Sequence, residues 1–403
     1  MNKWSTKNMR LLPDGYGFML KIFCFHSLVL AINLVLAGPT PAAIHHVPDD
    51  FEFIMEAMEE AEFGDTIIVG PGEYKERLII KEGVNMISSG EDGGNELVPG
   101  PGHKQVLKRT TRTIIDGSDI EEPGYLLSFP YDTQAPMRVD GFTFRNMPKY
   151  NSGVKLFLME VRGCSPKVVN NIFYGNQSWG AILATGLGVG MGPAMDTVAR
   201  PLIQNNVIYD NYGPGVANGA NSAAVIKFNE IFQNTFPGSG NKDPEAPSIG
   251  MRSYARPVIE NNDCYNCGAS VGGLNFEDYK EDLVIRNNHF YNGRRAGISL
   301  RIIDGTDTNI KVIIENNQIS GNMKAGIMHA KVDDITFRYN SIYNNRKAGI
   351  ILTNVDKAVI TDNNVRGNLT AGVRLIDVPR VMMRGNYIYR NITAGIDVIG
   401  SVR

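Results

Sequence analysis

Asn317-Gln-Ile-Ser-Gly-Asn-Met-Lys-Ala-Gly326-Ile, Asn340-Ser-Ile-Tyr-Asn-Asn-Arg-Lys-Ala-Gly349-Ile and Asn363-Asn-Val-Arg-Gly-Asn-Leu-Thr-Ala-Gly372-Val are three copies of one phrase. They start 23 residues apart, and a fourth begins at Asn386, again 23 residues on. A fixed period of this length marks stacked repeats. Twenty-three residues accommodate three short strands and three turns, and the 3.6-residue periodicity that helical repeats require is absent.

Working outward, the same Asn recurs upstream at Asn171, Asn206, Asn229, Asn262 and Asn288, with intervals of 35, 23, 33, 26 and 29 residues to the next copy. Two residues after each Asn stands an apolar residue: Phe173, Ile208, Ile231, Cys264, Phe290, Ile319, Ile342, Val365 and Ile388. Nine residues on stands Gly180, Gly215, Gly238, Gly297, Gly326, Gly349, Gly372 or Gly395, with Val271 breaking that column. The predicted fold is all-β, a right-handed single-stranded parallel β-helix. One strand precedes the Asn, one straddles the apolar residue and one follows the Gly. Coils stacked about 4.8 Å apart bring equivalent residues into columns. Apolar columns fill the bore, the Asn column forms an amide ladder that satisfies buried polar groups, and Gly suits a turn of positive φ.

Other columns follow the same register. Lys227, Glu260, Arg286, Glu315 and Arg338 alternate in sign on consecutive coils, as a ladder of ion pairs would, and equally form a charged face. Tyr174, Tyr209, Phe232, Tyr265, Tyr291, Tyr343 and Tyr389 form an aromatic column, able to stack on itself or on sugars. Cys264 and Cys267 resemble a redox or metal pair, but in register Cys264 occupies the inward apolar column and Cys267 a second Asn column. Three Cys remain after Cys24, a poor basis for a disulfide framework.

The ends differ from the middle. Lys3, Lys7, Arg10 and Lys21 precede an almost wholly apolar Ile22 to Leu36, closed by Val35-Leu36-Ala37. That pattern is a signal peptide, with residues 1–43 as leader and linker and an uncleaved anchor as the alternative. The expected location is secreted, periplasmic or cell-surface. Residues 44–403 then form the solenoid. Phe51, Ile54, Met55, Met58 and Ala61 have helical spacing and predict an N-terminal capping helix. Residues 88–112 read as a loop. After the last coil no cap is evident, so a capping partner or oligomer is expected to cover that end, or further sequence. Acids and bases nearly balance, 42 against 40, which argues against a nucleic-acid partner.

Gly64-Asp-Thr-Ile-Ile-Val-Gly-Pro-Gly-Glu-Tyr, Arg77-Leu-Ile-Ile and Thr113-Ile-Ile-Asp-Gly117 resemble the entry coils of pectin-lyase-like β-helix proteins, and the Asn171 to Ile396 repeats resemble theirs. The resemblance covers residues 44–403. It implies polysaccharide lyases, hydrolases, uronate epimerases, non-catalytic binding solenoids or a periplasmic accessory role in metalloenzyme maturation. The Asp-Pro-His-Asp motif of alginate epimerases and the polygalacturonase set are missing, so the resemblance carries the fold and not the reaction.

The longer coils gain residues at 184–200, 239–256, 275–282 and 301–310, all expected to leave one edge of the solenoid after the post-Gly strand. Loops on a rigid scaffold are where sites concentrate. That edge holds the candidate substrate-binding residues Arg252, Tyr254, Asn275, Glu277 and Asp278. Arg301 is the candidate to neutralise a uronate carboxylate, with His329 or Lys331 as base in a β-elimination. His329 falls in a bore column, where a hydrogen-bonded structural role competes with that reading. Asp304 and Asp307 offer oxygen ligands for Ca²⁺, against a plain surface turn. The expected function is binding or processing of an acidic polysaccharide, by lyase or epimerase chemistry if catalytic.

Overall fold

The strands pair wholly in parallel along the solenoid because each coil lays its three strands directly on those of the coil before. In the computed structural model, which describes residues 41–149, 156–187, 197–235, 246–252, 255–274, 282–301, 311–331 and 334–400, three long sheets result. Sheet A has 13 strands, from Ile44–Val47 to Arg380–Arg384; sheet B has 12, from Gly72–Tyr74 to Tyr387–Tyr389; sheet C has 12, from Leu78–Ile79 to Ala394–Ile399. Parallel crossovers of this kind are right-handed for steric reasons. Residues 43–403 form one compact unit. The capping helix spans Ile54–Glu60 and buries Ile54, Ala57 and Met58 against the first coil, as its spacing predicts.

The bore is a continuous apolar core. Phe144, Phe173, Ile208, Ile231, Cys264, Phe290, Ile319, Ile342 and Val365 are all buried within it. At the corner between sheets A and B the Asn ladder runs unbroken from Asn171 to Asn386. Each Nδ2 donates to the Oδ1 of the next coil's Asn, at 3.0 Å for Asn206 to Asn229 and 2.9 Å for Asn340 to Asn363. The same Nδ2 donates to a carbonyl of the coil before, as from Asn288 to Ile259 at 3.0 Å. The next coil's Oδ1 also accepts from the backbone N–H, so every polar group at this buried corner is used. A second ladder passes through Asn176, Asn211 and Asn234 and resumes at Asn322, Asn345, Asn368 and Asn391. Cys267 and Gly293 fill the gap between the two runs, and the Gly293 N–H donates to Asn322 Oδ1 at 2.9 Å. Cys267 and Cys264 are buried free thiols whose pKa burial pushes up, the state of inert small hydrophobes.

The Gly column has a different cause from the one expected. None of the described column glycines has positive φ; that backbone belongs to the residue before each ladder Asn, such as Asn205, Phe228, Asn287 and Tyr339. The column is Gly because coils touch there. A Cβ at Gly349 would lie 2.5 Å from Val365 Cγ1 and 2.8 Å from the Gly372 carbonyl oxygen. Two columns also shift by register. Val216 pairs with Ile249, Ile249 with Val271 and Val271 with Ile298, so the column residues of those two coils are Ser248 and Ser270. Val271 is an ordinary bore residue. Gly238 lies outside the described residues, and the extra residues of that coil enter ahead of the sheet C strand Ile249–Arg252 rather than after it.

Residues 88–112 are more than a loop. Leu97–Pro99 and Gln105–Leu107 form an antiparallel hairpin, followed by a short helix at Lys108–Arg112. The hairpin lies on the outer face of sheet B. There Tyr174, Tyr209, Phe232, Tyr265 and Tyr291 stack in series, with ring centroids 4.9–5.2 Å apart. Val98 and Val106 pack on this stack with Ile172 and Val207. From Tyr174 to Tyr291 the aromatic column therefore stabilises the solenoid by stacking on itself under a cover; Ser320 and Arg366 then interrupt it, and Tyr389 is exposed. The charged column on sheet A is likewise a ladder: Arg286 pairs with Glu260 at 2.7 Å, and Arg338 with Glu315.

Candidate functional site

The outer face of sheet C is dressed quite differently. Its outward row reads Ser128, Glu160, Leu183, Ala217, Gly250, Gly272, Ser299 and Met328 on successive coils. Small residues in the middle of the row remove side-chain bulk and leave a trough of about 310 Å³. Phe157, Trp179, Pro214 and Pro247 rise beside it, and Arg252, Arg295 and Ser299 bring polar groups to it. Trp179 is a large aromatic side chain with 37% of its surface exposed. Aromatic walls with a few convergent polar groups are the usual chemistry of a sugar subsite.

Upstream of the trough, Glu160 stands next to the lining residue Leu183 in the row. Its side chain is fully buried, yet it accepts hydrogen bonds from Tyr131 Oη at 2.7 Å and Arg162 at 2.5 Å. The Arg162 guanidinium also lies over the Tyr131 ring, 5.4 Å from its centroid. Burial and the Glu160 carboxylate hold the Tyr131 hydroxyl above the usual phenol range. Tyr131 itself is half exposed, so this group faces both the buried carboxylate and solvent.

The predicted residues separate into three groups. Arg252 and Arg301 end the sheet C strands Ile249–Arg252 and Ile298–Arg301, and both are exposed. They share one register column, two coils apart, through Leu274. Arg252 is thus on a strand and lines the trough, where a loop position was expected. Lys331 is exposed with φ 56°, in the left-handed turn position that Asn354, Asp377 and Gly400 take on later coils. His329 is 1% exposed and pairs in register with Leu300 and Leu352. Neither of its ring nitrogens has a hydrogen-bond partner, and burial pushes its pKa down to about 3. It is a neutral imidazole sealed in the bore and does not reach the outer face, which removes the geometry a base there needs. Tyr254, Asn275, Glu277, Asp278, Asp304 and Asp307 lie outside the described residues, as do residues 1–40, where the signal peptide was expected.

Sequence reasoning missed Phe157, Trp179, Pro247 and the small outward row. The alternation of Ile249-Gly-Met and Ile298-Ser-Leu already carries the signal, since a small residue between two bore residues must point outward.

The chain matches the model of the right-handed β-helix region over residues 158–328 and 300–402, and it belongs to that family. Among solved structures it is similar to XylC in complex with xylose, at 11% identity, covering 85% of this chain and 86% of that one with a TM-score of 0.53. It is also similar to a mannuronan C-5 epimerase A-module from Azotobacter vinelandii, at 13% identity over 84% and 91% of the two chains with a TM-score of 0.45. A family 28 exopolygalacturonase from Yersinia enterocolitica shares 10% identity over 90% and 79%, with a TM-score of 0.48. No curated protein sequence matches the chain. Among the described residues no helix is long and apolar enough to cross a membrane.

Proposed function

We propose that this chain is an exported carbohydrate-binding β-helix protein that takes an acidic polysaccharide along the outer face of sheet C. The observation that carries this reading is the trough itself. Ala217, Gly250 and Gly272 form its floor, Trp179 and Phe157 its aromatic wall, and Arg252 stands at its edge. A flat floor admits a chain rather than a single sugar. The indole offers a face for a pyranose ring, and the exposed guanidiniums of Arg252 and Arg301 suit carboxylates on successive units.

The Tyr131–Glu160–Arg162 group at the end of the same row favours a second reading, turnover of the polysaccharide by lyase or epimerase chemistry. In it Tyr131, whose hydroxyl donates to the Glu160 carboxylate, is the residue that exchanges a proton with the sugar. Titration calorimetry with a panel of polyuronides and neutral glucans tests the first reading. Micromolar to millimolar binding of a polyuronide, lost in Trp179→Ala, is the expected result; equal affinity of wild type and variant removes the trough as the site. Ultraviolet absorbance from an unsaturated uronate tests the lyase, and solvent-deuterium incorporation into the polymer tests the epimerase. Both signals are expected to vanish in Tyr131→Phe if the second reading holds.

A further inference from the structure

The hairpin over sheet B brings together a group of side chains that the trough does not involve. Ile172 and Val207 belong to an outward row on that sheet, and the row then turns polar: Glu230, Asp263 and His289 follow on consecutive coils. Above them the hairpin tip places His103. Its Nδ1 lies 3.6 Å from Glu230 Oε1 and 3.9 Å from Asp263 Oδ2, and the three ligand atoms lie within 4.8 Å of one another. His289 Nδ1 stands 3.3 Å from the other oxygen of Asp263.

We propose that His103, Glu230 and Asp263 form a binding site for a divalent transition-metal ion, which ties the hairpin tip to two coils of the solenoid. Nitrogen and oxygen ligands about 2.1 Å from such an ion stand roughly 3.4 Å apart at tetrahedral angles. The two His103 separations, 3.6 and 3.9 Å, need shifts of only a few tenths of an ångström, and the two carboxylates, within 4.8 Å of each other, close by a side-chain rotation of about an ångström. The ligand atoms are also held in place. The His103 ring stacks on Tyr265, with centroids 5.1 Å apart, and the His289 ring stacks on Tyr291 at 4.2 Å. Tyr265 Oη donates to Glu230 at 2.8 Å. Asp263 Oδ1 is buried without a hydrogen-bond partner, with His289 Nδ1 3.3 Å away. Glu230 is 3% exposed, whereas His103 is 68% exposed, so one side of the site is open to solvent and to exchange. An imidazole with two carboxylates suits zinc-like ions, while Ca²⁺ prefers an all-oxygen shell of six to eight ligands.

Glu230 also accepts backbone hydrogen bonds from His103 and Lys104, at 2.6 and 3.0 Å, which hold the hairpin without any ion. Those bonds survive in His103→Ala, and Asp263 makes neither of them, so His103→Ala and Asp263→Asn remove ligands and keep the latch. The test is Zn²⁺ titration of the metal-stripped full chain, read by calorimetry and by competition with a chromogenic chelator. The expected result is one Zn²⁺ per chain with micromolar or tighter affinity, at least tenfold weaker in each variant. Co²⁺ is expected to give d–d absorption that His103→Ala abolishes, while the metal-free variants keep the wild-type thermal midpoint. Absence of stoichiometric Zn²⁺, equal affinity in both variants, or displacement of Zn²⁺ by equimolar Ca²⁺ would each overturn the proposal.

Discussion

Sheets B and C are built on the same coils, with the same alternation of inward and outward residues, yet their outer faces have opposite fates. On sheet B the outward column is aromatic, and it disappears beneath the hairpin of Leu97–Pro99 and Gln105–Leu107, where Phe232 is only 5% exposed. On sheet C the outward row is stripped to Ala217, Gly250 and Gly272, and the large side chains stand at its sides. An aromatic column in a solenoid is therefore an ambiguous sign of sugar binding. Rings that stack on one another at about the strand spacing are already each other's ligands. The absence of side chains, next to one exposed indole, is the better indicator of a place where something else can lie.

The largest effect that would break this comparison is expected on sheet B. Phe232→Ala empties the middle of a covered stack and is expected to cost about 3–5 kcal/mol of stability, read as a lower denaturant midpoint with glycan affinity unchanged. A loss of affinity at unaltered stability would instead make sheet B the binding face. Trp179→Ala is the mirror image. Polyuronide affinity is expected to fall at least tenfold, about 1.4 kcal/mol, with a stability change near the ~0.5 kcal/mol typical of surface positions.

The bore beneath both faces supplies a pH-dependent test. His329 stays neutral when folded down to about pH 3, whereas the unfolded chain protonates it near the ordinary value of 6.5. The unfolded state thus binds the extra proton, and its contribution to stability is lost as pH falls through that window, by up to about 1.4 kcal/mol per pH unit. His329→Leu is expected to flatten the stability–pH curve between those values and to leave the pH profile of glycan binding unchanged. A shifted binding profile would show that the imidazole communicates with the sheet C face. The smallest effect is assigned to charge at the trough. Arg252→Ala is expected to weaken polyuronide binding by roughly threefold to tenfold, about 0.7–1.4 kcal/mol, and to reduce its salt dependence, with neutral glucans unaffected.

Arg301 and Lys331 were legible as surface cations from register alone, because a residue's distance from the ladder Asn decides its strand and its face; Arg252 was expected on a loop, since the extra residues of its coil enter ahead of its strand and upset that count. Trp179 and Phe157 were not, since they precede the strand and their exposure depends on how the turn is laid. Nor was the hairpin. Val98 and Val106 are unremarkable in a Gly- and Pro-containing stretch until the outer face of sheet B gives them something to cover.

The repeat by itself determined the solenoid and its core, and the helical spacing of Ile54, Met58 and Ala61 its capping helix. Stacking converts periodic sequence into columns, and a column of Asn or of Ile has one low-energy use inside a bore, where polar groups must pair and apolar ones must leave water. Tertiary structure alone decided why the column glycines are Gly, since only the neighbouring coil shows that a Cβ has no room. It also decided that His103 meets Glu230 and Asp263, and which outer face stays open. Outward residues answer to whatever lies across from them, and no period in the sequence encodes the distance from a hairpin to a coil more than a hundred residues away.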